Sequence, residues 1–125
     1  MQELLEKVNE LQFFNYRLQH FDGWKLYVIG DNDLSYHHGV ELILTGVKHI
    51  TCDVDFYHPV FRHLGSCVCG CSGQRLGIQT DSGSFEIVFD GLEIVTGVVF
   101  HYQRPNLQPG ERIASWIAKS SESTT

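Results

Sequence analysis

The stretch Ser84-Phe-Glu-Ile-Val-Phe-Asp-Gly-Leu-Glu-Ile-Val-Thr96 decides the reading of the fold. Phe85, Ile87 and Phe89 recur at every second position in its first half, and Leu92, Ile94 and Thr96 do so in its second. That period marks strands with one buried face. Asp90-Gly91 lies between the runs, and Asp-Gly readily supplies the positive φ angles of a two-residue hairpin turn. The expectation is an antiparallel hairpin with the two apolar rows lined up on one face.

Working outward, Arg75 to Thr80 and the turn Asp81-Ser-Gly83 add a strand before this pair, and the second arm continues toward Tyr102. A second Asp-Gly, at 22–23, separates Tyr16-Arg-Leu-Gln-His-Phe21 from Trp24-Lys-Leu-Tyr-Val-Ile29. Counting from a two-residue turn sets Phe21 against Trp24, Leu18 against Tyr27 and Tyr16 against Ile29. The last two pairs take the core face. After the turn cluster Gly30-Asp-Asn-Asp33 comes a strand with Val40, Leu42 and Leu44 in alternation, ended by a bulge or turn at Gly46. Ile50, Cys52, Val54 and Phe56 then alternate as one further strand, closed by His58-Pro59.

Helical spacing appears only at the two ends. Leu4, Leu5, Val8 and Leu11 form an apolar stripe opposite Glu3, Glu6, Lys7 and Glu10, with acidic residues toward the N-terminus where the helix dipole favours them. Ile113, Trp116 and Ile117 predict a short C-terminal helix over 109–119, entered at Pro109. The expected class is α+β, an antiparallel sheet of about six to seven strands built from hairpins, with one short helix at each end. Residues 1–119 form a single domain in this reading, and residues 120–125, lacking an apolar anchor, a flexible tail.

Composition narrows the function classes. Hydrophobic residues at 42% and charged residues at 19% exclude a disordered chain. A formal charge of -6, with nine scattered Lys and Arg, argues against nucleic-acid binding. It suits a basic protein partner. Charged residues at the N-terminus argue against a signal peptide, and no apolar run approaches the roughly 20 residues of a membrane span. A cytoplasmic location follows, with the four cysteines reduced. Phosphate-loop, dinucleotide, zinc-protease and nucleophile-elbow patterns are absent.

Three clusters carry candidate chemistry. Cys67, Cys69 and Cys71, with His63 upstream, offer three thiolates and an imidazole for a zinc ion, although a one-residue gap spreads sulfurs along an extended strand. The bland alternative makes the cysteines small buried hydrophobes. Asp53 and Asp55 flank Val54, which places two carboxylates about 7 Å apart on one face of a strand. They belong to a small hydrolase or ligand-binding site only if a concave pocket joins them to nearby histidines. His37 and His38 point to opposite faces of a strand, which disfavours a shared site. Finally, Asp53, Asp55, Tyr57 and His58, with Trp24 and Phe21, make an acidic surface with aromatic anchors fit for a protein partner.

Val40-Glu-Leu-Ile-Leu-Thr-Gly-Val-Lys-His-Ile50, followed by Asp55-Phe-Tyr-His-Pro-Val-Phe-Arg62, resembles a pattern in small bacterial immunity proteins of polymorphic toxin systems and related bacterial domains. The resemblance implies stoichiometric inhibition of a cognate toxin by a folded acidic surface, without catalysis. The cysteine cluster departs from that pattern. A non-catalytic protein-binding domain is therefore the leading expectation. A metal-binding domain and a small hydrolase or ligand-binding domain are the alternatives.

Overall fold

Helix α1 (Gln2–Leu11) ends where Gln12 turns left-handed at φ 53°, with Leu5 and Val8 buried. In the computed structural model, which describes residues 1–66, 73–103 and 105–114, everything else regular is strand. These are β1 (Asn15–Phe21), β2 (Lys25–Asp31), β3 (His37–Thr45), β4 (His49–Thr51), β5 (Asp55–Tyr57), β6 (Val60–Ser66), β7 (Gln74–Thr80), β8 (Gly83–Phe89), β9 (Gly91–Phe100) and β10 (Arg112–Ile113). The protein is thus mainly sheet with one helix among the described residues, an α+β-like arrangement rich in antiparallel pairs.

The strands form two sheets rather than one. Sheet 1 has the order β10-β9-β3-β2-β1-β5 and sheet 2 the order β4-β8-β7-β6. Their facing sides share one core. Sheet 1 contributes Tyr16, Leu26, Val28, Val40, Leu42, Leu44 and Phe56, and sheet 2 contributes Phe61, Leu76, Ile78, Ile87 and Phe89. The alternation read along Val40, Leu42 and Leu44 is present, and all three are fully buried.

The Asp90-Gly91 expectation fails. β8 pairs with β7 and β4 in sheet 2, whereas β9 pairs with β3 and β10 in sheet 1, so the dipeptide is a corner between sheets. Both apolar rows still face one core, but from opposite walls. Alternation reports which face is buried and says nothing about which strand lies beside it. The Asp22-Gly23 hairpin exists with another register, His20 against Tyr27 and Phe21 against Leu26. A shift between Leu18 and His20 then sets Leu18 against Val28 and Tyr16 against Gly30. The Tyr16 ring lies over Gly30, where an added Cβ would collide with it. Tyr16 therefore needs a glycine opposite, and the expected Ile29 is buried instead on the other face of the sheet.

The expected strand through Ile50, Cys52, Val54 and Phe56 is two strands. β4 ends at Thr51 in sheet 2, the chain crosses, and β5 begins at Asp55 in sheet 1. The crossing breaks the alternation and leaves Val54 62% exposed. The expected C-terminal helix is also overturned at its start, because Arg112–Ile113 pairs in parallel with Val99 and Phe100. Residues 115–119 of that segment and the proposed tail lie outside the described residues.

The free side of β6 is closed by the helix. The Asn9 carboxamide donates to the Phe61 carbonyl at 3.0 Å and accepts the Phe61 N–H at 2.9 Å. Gln2 Oε1 accepts the His63 N–H at 2.8 Å. Residues seven apart share a helix face, so two amide side chains replace the neighbouring strand that an edge otherwise invites.

Candidate functional site

β5 is the outer strand of sheet 1, and its pairing with β1 sets Tyr57 against Asn15, Phe56 against Tyr16 and Asp55 against Arg17. Alternation buries Phe56 and turns Asp55 and Tyr57 outward. Asp55 Oδ1 accepts a hydrogen bond from Arg17 Nε at 2.8 Å, so this carboxylate is already paired. Asp53 is exposed and has no ion pair among the described residues. His58 adopts φ 48° and donates its N–H to the Phe14 carbonyl at 2.9 Å, which ends the strand. The turn gathers three rings: Phe14 packs against Tyr57 at 5.3 Å and edge-on to His58 at 4.7 Å. Phe14 and Tyr57 remain 43% and 51% exposed.

Phe21 and Trp24 lie apart from that cluster, at the tip of the β1–β2 hairpin. The Asp22 carboxylate accepts the N–H groups of Trp24 at 2.8 Å and Lys25 at 2.7 Å, which closes a local turn and leaves Trp24 59% exposed. At about 3.3 Å per strand residue, Phe21 stands about 13 Å along β1 from Arg17. The chain from His49 to Val54 spans this gap. His49 and Ile50 line a shallow depression with Phe21 and Val47, and the Val54 carbonyl accepts the Leu18 N–H at 2.8 Å. The six residues singled out in the sequence therefore lie at two separate places along the edge where the chain leaves sheet 2 for sheet 1: Phe21, opposite Leu26, is on the core-facing side of sheet 1, whereas Asp55 and Tyr57 are on its other side. Sequence reasoning missed Phe14 and Val54. Phe14 lies in the link between α1 and β1, outside any periodic run, and Val54 was assigned to the core by an alternation that the crossing interrupts.

The metal ligands proposed from sequence are not brought together in what is described. Cys67, Cys69 and Cys71 lie outside the described residues. His63, on β6 beside the helix, donates from Nε2 to Gln74 Oε1 at 2.8 Å. No group of three or more His, Cys, Asp or Glu among the described residues is placed to hold a metal ion. Cys52 packs against the core, and burial, with a smaller contribution from Asp53, pushes its thiol up to about 12.

A polar cluster that the sequence did not announce lies at the other end of sheet 1. The β3–β9 register shifts between His38 and Val40, opposite Gly97 at φ 111°. Regular strand geometry would separate His38 and Glu41 onto opposite faces, yet beside this shift the two side chains meet. His38 Nε2 donates to Glu41 Oε1 at 2.7 Å, with both side chains buried. Arg112 Nη2 stands 3.1 Å from Glu41 Oε2. Burial pushes the Glu41 carboxyl up, but His38 and Arg112 together outweigh it and hold the group below its ordinary range. One proton fills the 2.7 Å between His38 Nδ1 and His101 Nε2. Burial first, then His38, His37 and Arg17, lower His101 to about 4. The adjacent His37 serves a different partner, donating from Nδ1 to Asp31 Oδ2 at 3.0 Å. The signal available in the sequence was Glu41 itself, a carboxylate inside an apolar strand.

Comparisons of the chain with family models, with curated proteins and with solved structures return no match. No helix among the described residues is long and apolar enough to cross a membrane.

Proposed function

We propose that this chain is a non-catalytic protein-binding domain of the immunity type, which inhibits a cognate basic toxin domain by covering it with the strip from Trp24 to His58. The observation that supports the reading most is the exposure of Phe14 and Tyr57, packed against each other, with Val54 exposed three residues before Tyr57 and Trp24 exposed at the tip of the β1–β2 hairpin. Apolar surface gathered in this way marks interaction sites more often than it decorates a monomer. Trp and Tyr are the residues most often found to dominate binding energy.

Two further features support recognition through side chains. β5 is only three residues long, carries the ion-paired Asp55, and is followed by left-handed His58 and Pro59, all devices that discourage addition of another strand. The unpaired Asp53 stands beside the exposed Val54, so a basic partner meets a charge next to an apolar anchor.

The test uses the purified chain as bait in the lysate of its own host, with Trp24→Ala and Tyr57→Ala variants in parallel. A partner retained by the native chain should bind each variant roughly thirtyfold more weakly, the loss of about 2 kcal/mol expected of an anchor residue. Asp53→Asn should chiefly slow association and weaken its salt dependence. Equal affinity of all three variants and the native chain would remove the strip from consideration.

A further inference from the structure

The outer face of sheet 2, turned away from the core, carries a concavity of about 490 Å³. That size suits a small molecule rather than a protein surface. Its shape follows from one missing side chain. Across the four strands, Thr51, Glu86, Gly77 and Arg62 occupy one row of the ladder. Side chains rise from three of these positions and none from Gly77. β6 and β8 lie two strand spacings apart, about 10 Å, so Arg62 and Glu86 stand as walls on either side of the gap. Leu64 leans across Gly77, where an added Cβ would approach its Cδ1 to 2.9 Å, and gives the gap an apolar floor.

The charges on this face are unequal. Glu86 is engaged by Arg75 through two hydrogen bonds, Nε at 3.0 Å and Nη2 at 2.7 Å. That pair is self-contained, and a guanidinium used in this way keeps further N–H groups to donate. Arg62 has no ion pair or hydrogen bond among the described residues, although it lines the concavity. The face therefore holds a surplus positive charge in a chain of formal charge -6. Gln79 and Ser84 on one rim and Thr51 on the other add neutral donors.

We propose that this concavity binds a small organic anion, its carboxylate or phosphate group on the Arg62 guanidinium and a compact apolar body over Leu64 and Gly77. A planar guanidinium matches the oxygens of either head group with paired N–H donors. Arg62, Leu64 and Gly77, which carry this proposal, take no part in the strip assigned to partner binding, so failure of either reading leaves the other standing.

The experiment is a titration of backbone amide resonances with acetate, butyrate and inorganic phosphate, against chloride at constant ionic strength. The amides of Thr51, Arg62, Gly77 and Ser84 should shift saturably with an oxyanion and stay still with chloride. If the ligand is a carboxylate, butyrate should bind more tightly than acetate, by about fourfold for each methylene buried on Leu64. If phosphate moves the same amides and the carboxylates do not, the ligand class is a phosphate ester. Arg62→Gln, an exposed substitution that leaves the core untouched, should weaken the response at least fivefold while the remaining spectrum is preserved. Shifts that match those with chloride, or that persist unchanged in Arg62→Gln, would overturn the proposal.

Discussion

Asp22-Gly23 and Asp90-Gly91 are the same dipeptide between similar strands, yet one folds a sheet back on itself and the other leaves it. At the hairpin tip, the Asp22 carboxylate closes the turn on Trp24 and Lys25, and Gly23 takes φ 94°. At the corner, Gly91 has no positive φ. Its value there is close approach, since an added Cβ would come within 2.7 Å of Thr45 Oγ1. Asp90 donates its N–H to the Thr45 carbonyl at 2.8 Å, and its side chain pairs with Lys48. Each strand beside the corner already has a neighbour to satisfy it: β7 pairs with β8 over seven positions and β3 with β9 over eight. The dipeptide permits a tight turn, and the strands waiting on either side decide whether one forms.

The difference should be largest in stability. Phe89, just before the corner, is fully buried between the sheets, and Phe89→Ala should cost about 3–5 kcal/mol in urea denaturation. Phe21 holds the corresponding place before the hairpin tip but is 45% exposed, so Phe21→Ala should cost under about 1 kcal/mol. Equal costs would mean that the corner is no more a part of the core than the tip. A smaller contrast separates the glycines. Gly46 sits at φ 65° against the Asp90 carboxylate, and Gly46→Ala should cost about 1–3 kcal/mol through backbone strain and displacement of that side chain. Gly23 has nothing within 4 Å of an added Cβ, so Gly23→Ala carries only the strain of its positive φ, about 1 kcal/mol.

The same contrast explains how far the chain could be read without coordinates. Helix α1, the burial of Val40, Leu42 and Leu44 and the strands β7 and β8 were all legible, because each is a local period with one apolar face. Partnership was not legible. Which strand lies beside β9, and that Ile50 and Phe56 belong to different sheets, depends on contacts between distant residues that alternation does not encode. The strip was half legible for the same reason. Tyr57 and Trp24 drew attention by residue type, whereas Phe14 joined Tyr57 only through the pairing of Asn15 with Tyr57. The Arg62 concavity left no trace, since its defining feature is a glycine between residues from three strands.

The smallest expected effect tests the tip alone. Hydrogen bonds from the Lys25 and Trp24 amides hold the Asp22 carboxyl below its ordinary range. A carboxylate lowered in the folded state contributes stability that is complete above its unfolded pKa and is lost as pH falls through its folded one. The Trp24 and Lys25 amide resonances should therefore move together on acidification, with a midpoint below that of an ordinary aspartate. Asp22→Asn retains an oxygen acceptor without a titrating proton, so it should keep the turn and abolish the transition. If the Trp24 and Lys25 amides still titrate in Asp22→Asn, the tip is held by something other than this carboxylate. The distinction between a turn closed by its own side chain and one imposed by its neighbours would then lose its local half.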